Sequence, residues 1–304
     1  SIYVRPFTLH ETEVYLLRKH CKWDRYQILQ CYMVFGGIPF YLSLINAKES
    51  LVQNVDRLFF AQGGIMRSEF DELYNALFSN ADLYISVVKG LAAHHDGMSR
   101  EEISKATGIT GGTLTRVLTN LERCDFVSRN QNFAHKVKDT IYRLVDFYTL
   151  FYYKFILPDV SGDEQWWSHH FESRQVSTWQ GLTFEIVCLM HTDSIKRALG
   201  ISGMATEVSS WRKAATEGQN GGQIDLVIKR ADRIIHLCEM KFSKSQYRIT
   251  EAYEQLLRQR LELFQSSTKT KFSLVITFVT TYGIADGLHH SLVHSEVTME
   301  QLFI

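Results

Sequence analysis

Apolar residues recur at helical spacing through most of the first 160 positions and alternate in several later stretches, so a helical front followed by a mixed α/β back is expected. Thr8 stands three residues before Glu11, a capping-box spacing, and Val14, Leu16 and Leu17 supply the apolar positions of a first helix. A second helix is predicted over Asp24–Phe35, carrying Tyr26, Ile28, Leu29, Tyr32, Met33 and Phe35, with Gly36-Gly37 as its left-handed stop. A third starts near Pro39 with Phe40, Tyr41, Leu44 and Ile45, and further helices fit Glu49–Phe60 and Ser68–Phe78. Prolines occur only at positions 6, 39 and 158, so helix breakers are rare and act as punctuation.

From about Asn80 the pattern changes. Asp82–His94 is amphipathic; Ser99 with Glu102 forms a capping box opening a short helix that ends at Gly108; Gly111-Gly112 precedes a helix through Arg123. Phe126–Arg129 and Thr140–Leu144 then alternate like two strands, joined by the polar stretch Asn130–Asp139. That order is the outline of a winged helix-turn-helix. Phe147–Leu157 is an aromatic-rich helical segment, and Pro158–Glu164 is the best linker candidate.

Beyond it, Trp179–Leu199 reads as one long helix, followed by strands near Thr206–Trp211, Ile224–Lys229 and Arg233–Lys241. A helix over Thr250–Phe264, a strand over Phe272–Val279 and a terminal strand near Val297–Phe303 complete an αβββαβ order. The predicted fold class is therefore α plus α/β.

Composition narrows the function classes little. Lysine plus arginine and aspartate plus glutamate number 33 each, so net charge selects no partner. Apolar runs such as Phe147–Leu157, interrupted by Lys154, are too short for a membrane span, and the first residues lack a signal-peptide layout; no membrane and a cytoplasmic location are expected. Five scattered cysteines without a C-x-x-C pair argue for reduced thiols rather than a disulfide framework. Oligomeric state is left open, homo-oligomers included.

The candidate chemistry lies in the last domain. Asp225 opens one strand, preceded by Gln223, and Glu239-Met240-Lys241 closes the neighbouring one. Period-two geometry places Glu239 and Lys241 on one face with Leu237, and Ile234, Cys238 and Met240 on the other. Two carboxylates supply hard oxygen ligands for Mg2+ or Mn2+, and a lysine can orient or deprotonate a bound water and offset charge on a phosphoryl transition state. Glu185, on the preceding helix, is a third candidate carboxylate. The expected catalytic set is Asp225, Glu239, Lys241, Glu185 and Gln223, with Asp225, Glu239 and Glu185 on the metal. A surface ion pair between Lys241 and Glu239, with Asp225 a plain strand-end residue, is the competing reading.

Asp225, Glu239-Met-Lys241 and Glu185 in an αβββαβ order resemble the PD-(D/E)xK, or restriction-endonuclease-like, nuclease fold, with Ile224 in place of the proline. Ile2–Glu11 and Tyr32–Leu42, which contains Gly36-Gly-Ile-Pro39, resemble the stretch that follows the ATPase core of archaeal-type AAA/STAND ATPases. In that family a P-loop core is followed by a helical lid, a winged helix and often a nuclease-like domain. The resemblance implies a lid-like segment over 1–78, a winged helix over 79–146, a linker helix and connection over 147–178 and a nuclease-like domain over 179–304. No G-x-x-x-x-G-K-[ST] occurs, so ATP binding would need an upstream domain, and the chain is expected to be the C-terminal part of a longer protein.

Nucleic acid, with DNA favoured, is the partner these resemblances imply. On the winged helix, Thr113, Thr115, Arg116, Thr119 and Asn120 would reach a duplex, with Arg129, Lys136 and Lys138 on phosphates. Its basic excess is only two between Thr110 and Asp146, which equally suits a protein-contact module. The histidine pairs at 94–95, 169–170 and 289–290 lack metal-site spacing. His236 should face away from Glu239, and the aromatic cluster around Phe151 suits a core or docking surface better than base stacking.

Overall fold

The computed structural model describes residues 5–133, 140–215 and 221–304, so Lys136 and Lys138 lie outside the described residues. The chain divides into two compact units: Ser1–Arg129 with Ile141–Thr183, and Asn130–Thr140 with Phe184–Ile304. Among the described residues no helix is long and apolar enough to cross a membrane.

The first unit is mostly helical. The expected helices are present as α1 (Leu9–Arg18), α2 (Arg25–Phe35), α3 (Pro39–Ser43) and α4 (Leu51–Val55); the predicted Thr8 capping box forms, and Asp24 and Ser50 each complete one more. The helix expected over Glu49–Phe60 is α4 continued by a π-turn, Asp56–Phe60. Helices α5 (Ile65–Leu77) and α6 (Ala81–Ala92) precede a two-residue strand β1 (Met98–Ser99), α7 (Arg100–Thr107) and α8 (Gly111–Arg123). The expected two-stranded ribbon is a three-stranded sheet: β1 joins β2 (Val127–Gln131) and β3 (Thr140–Leu144) in the order β1-β3-β2. Helix α9 (Phe147–Phe151), a second π-turn (Tyr152–Ile156) and α10 (Trp166–His170) carry the aromatic segment. Its Phe151 packs on Phe59 at 4.6 Å and on Trp167 and Trp179 at 5.1 and 5.4 Å between ring centroids. These four rings are buried and form core, while Tyr152, Tyr153 and Trp166 are half-buried.

Helix α11 (Arg174–Met190) crosses the division between the units and is separated from α12 (Thr192–Ala198) at His191, so the single helix expected over Trp179–Leu199 is two. The second unit is built on a mixed five-stranded sheet in the order β4-β5-β6-β7-β8. Strands β4 (Thr206–Lys213), β5 (Gly222–Arg230) and β6 (Ile234–Lys241) pair antiparallel, and β6, β7 (Ser273–Thr280) and β8 (Val293–Thr298) pair parallel. Helix α13 (Glu251–Thr268) links β6 to β7 and seals one face: its Phe264 and Leu257 sit over Trp211, Val227, Leu237, Ile276 and Phe278. The last strand ends at Thr298, where a capping box with Gln301 turns the chain into α14 (Met299–Leu302), and the strand predicted to reach Phe303 stops five residues short of it. Asn132 and Phe133, in the expected wing, belong to this unit: Asn132 bridges to Ser210, and Phe133 packs 5.0 Å from Phe264.

Candidate active site

Strand β6 is the middle of the five, and its C-terminal end carries Glu239 and Lys241. Their side chains meet on one face, Lys241 Nζ 2.9 Å from Glu239 Oε1, as the alternation predicts. That face looks toward α13. Tyr253, Leu257, Arg260 and Phe264 recur at helical spacing, so one stripe of α13 delivers two apolar anchors to the sheet and two polar groups to Glu239. Arg260 Nη1 lies 2.7 Å from Glu239 Oε2, and the Tyr253 hydroxyl donates to Oε1. Lys241 also sits 5.0 Å from the centre of the Tyr253 ring, within cation–π range. Burial and, after it, the negative charge of Glu239 push the Tyr253 hydroxyl far above its ordinary value, which keeps it a proton donor to that carboxylate.

Asp225 lies on β5 at an irregularity. Ser209 pairs with Val227 and Trp211 with Ile224, so Ser210 alone faces both Asp225 and Leu226. This bulge explains how Ile224 and Val227, three residues apart, enter one apolar cluster with Trp211. The ladder between β5 and β6 runs from Lys229 opposite Ile235 to Leu226 opposite Cys238 and ends there, just before Asp225 and Glu239. The two acids thus stand where the strands part. Gln223 Nε2 donates to Asp225 Oδ1 at 2.9 Å.

Glu185 is half-buried on α11. Three residues on, the Cys188 thiol is driven up by burial and then by the charges of Glu185 and Cys238. Since Cys238 and Glu239 alternate on β6, this helix lies on the face opposite Glu239. Among the described residues no group of three or more histidine, cysteine, aspartate or glutamate side chains is placed to hold a metal ion. The structure therefore joins Glu239 to Lys241 and Asp225 to Gln223.

Arg260 and Tyr253 were not among the sequence candidates. The signal was present, since both fall on the apolar stripe of a predicted helix, where a charged residue needs a partner. His236 faces away from Glu239 as expected: its Nδ1 is 2.8 Å from Thr277 Oγ1, and burial, with Arg230 beside it, lowers its pKa to about 4.

In the first unit, Thr113, Thr115 and Arg116 are exposed on α8. Thr115 Oγ1 accepts from Arg100 at 2.9 Å and donates to the Gly111 carbonyl. Asn120 is turned inward, with Nδ2 donating to Tyr84 at 2.8 Å, Thr119 is half-buried beside it, and Arg129 lies 3.7 Å from Glu122. Asn120 is thus engaged within the protein, while Arg129 is exposed.

No family model matches the chain. It is similar, at 24% identity over 143 residues, to the uncharacterized protein MJECL04 of Methanocaldococcus jannaschii. The match covers 46% of this chain and 31% of that protein, so the chain spans less than a third of the relative's length.

Proposed function

We infer that the second unit is a metal-dependent nuclease of the PD-(D/E)xK type, hydrolysing phosphodiester bonds in DNA or RNA. The observation that supports this is the place of the acids: the β5–β6 ladder stops at Leu226 and Cys238, so Asp225 and Glu239 follow where the strands part, with Lys241 on the Glu239 face. Magnesium commonly takes one or two protein carboxylates and completes its shell with water. Asp225 and Glu239 fit that donor set, with Glu185 the further acid that the resemblance implies, and an ion held there would polarise a phosphoryl oxygen and lower the pKa of a bound water.

The chain's own residues do the rest. Gln223 fixes the Asp225 carboxylate through its 2.9 Å hydrogen bond. Lys241 presents an ammonium group where an attacking water would be held and negative charge would grow on the phosphoryl oxygens. Arg260 and Tyr253 aim Glu239 from α13.

The front of the chain belongs with this reading as the lid-like helices and winged helix of an archaeal-type AAA/STAND ATPase, with ATP bound by an upstream P-loop domain. Thr113, Thr115 and Arg116 on α8, with Arg129, are the exposed groups that would meet DNA. A second reading, a nuclease-like fold kept as a non-catalytic binding or regulatory module, is favoured by one fact: both Glu239 oxygens are already engaged by donors on Lys241, Tyr253 and Arg260.

A cleavage assay separates the two. Labelled DNA and RNA should be cut by the wild-type chain with magnesium or manganese and left intact with a chelator. Asp225→Ala and Lys241→Ala should each lose at least a hundredfold in rate, the range assigned to removing one transition-state-stabilising group. Cleavage undiminished in both variants, or none by the wild type, rejects the catalytic reading.

A further inference from the structure

Beside the candidate site lies an open groove of about 880 Å³ between the paired ends of β4 and β5 and the outer side of α13. Arg212 and Lys213 line one wall, Leu256 and Leu263 lie on the helix side, and Arg260 and Gln223 stand at the end where they also touch Glu239 and Asp225. Among its described lining residues Glu262 is the one carboxylate.

The position of Arg212 is set by the fold. The Asn132 side chain grips its backbone from both sides: Oδ1 accepts from Arg212 N at 3.1 Å, and Nδ2 donates to Arg212 O at 3.3 Å. Arg212 itself is exposed, so a fixed backbone presents a charged fork to solvent. Leu256 is 43% exposed along the same groove and adds apolar surface to it. Gly222 sits at its floor, where an added Cβ would approach Leu263 and Trp211 to 3.0 Å. A duplex offers such a surface phosphates alone, whereas an unpaired strand offers phosphates to the arginine and lysine and base faces to the leucines.

We propose that this groove binds an unpaired stretch of polynucleotide, with Arg212 and Lys213 on its phosphates and Leu256 against a base, and leads it past Arg260 to the Glu239 carboxylate. The proposal rests on the nuclease reading for its class of ligand but makes no use of catalysis. It therefore also assigns a substrate form: strands with unpaired segments bind in preference to continuous duplex.

The test is fluorescence anisotropy of a labelled single-stranded DNA oligonucleotide with the full chain in chelator, so that no cleavage enters. Arg212→Glu with Lys213→Glu should weaken binding about tenfold or more and flatten the plot of log affinity against log salt by about 1.4, two phosphate contacts at about 0.7 each. Leu256→Asp should weaken it with little change in that slope. Lys271→Glu, the same reversal at one exposed lysine ahead of β7 and half the charge change, should leave affinity within twofold. Circular dichroism on each variant establishes that it is folded. Unchanged affinity in the folded double variant overturns the proposal, as does an equal loss from Lys271→Glu or an equal loss on a blunt duplex. Reduced strand binding in a protein that never cleaves would leave the groove standing and remove only the nuclease reading.

Discussion

The close approach of Phe7 to Gly37 explains the glycine pair ahead of Pro39. Phe7 N donates to Gly37 O at 2.7 Å, Tyr32 donates to Phe7 O at 2.8 Å, and a Cβ on Gly37 would lie 1.9 Å from that same oxygen. Gly37→Ala must therefore push the Phe7 segment away, losing a buried hydrogen bond and straining the turn. A cost of about 2–4 kcal/mol is expected, read as a lower urea midpoint with unchanged slope. His236 supplies a second prediction. Its pKa in the fold is about 4, below the 6.5 of an ordinary histidine. Between those values the unfolded chain binds a proton that the native ring refuses, so the contribution is complete above pH 6.5 and is lost as pH falls toward 4. At about 1.4 kcal/mol per unit the loss is at most about 3.5 kcal/mol, and His236→Gln should flatten the fall of stability with pH in that window. Burial likewise lowers the pKa of His191 and His95, which adds to the same slope.

Helix α13 and strand β6 form the element pair on which the site depends. Phe264 meets Trp211 at 5.3 Å and Phe133 at 5.0 Å between ring centroids and is fully buried, so it anchors the helix that carries Arg260 and Tyr253. Phe264→Ala should cost about 3–5 kcal/mol and loosen the Glu239 contacts with it. The helix, the strands and the pairing of Glu239 with Lys241 were legible because apolar spacing and alternation state them directly. The β5 bulge was not, since Gln223–Leu226 reads as ordinary alternation and the extra residue is set by pairing with β4. The break at His191 was hidden by an apolar pattern that continues through it into Ile195. Val297, Met299 and Phe303 alternate like a strand and are all buried, yet the Thr298–Gln301 capping box makes the last turn helical. Strand β1 has two residues, too few for any periodicity to register. The partners of Glu239 on α13 needed the crossing of helix and strand, which sequence spacing alone does not give.

Taken as a whole, the chain has two units, each with a core of its own, and that organisation was readable only in outline. The sequence punctuation placed a boundary before Trp179, whereas contacts divide the chain between Thr183 and Phe184 and assign Asn130–Thr140 to the second unit. The reason is physical: α11 continues helically through the division, and long-range packing leaves no local mark. Tryptophans 23, 166, 167 and 179 fall in the first unit and Trp211 alone in the second. In Phe264→Ala the transition seen by far-ultraviolet circular dichroism should broaden or split, while the bulk of the tryptophan fluorescence change keeps its wild-type midpoint. A common shift of both signals would mean that the units unfold as one.

On the proposed nuclease reading, Asp225 and Glu239 together grip a divalent cation at the end of the middle strand. Titration of the metal-free chain with manganese, followed by the electron paramagnetic resonance of the unbound ion, measures this without any substrate. One saturable site is expected in the wild type, weakened at least tenfold by Asp225→Asn and by Glu239→Gln and abolished when both are replaced. Manganese binding that survives the double replacement, or a wild-type chain that takes up no manganese, would contradict it.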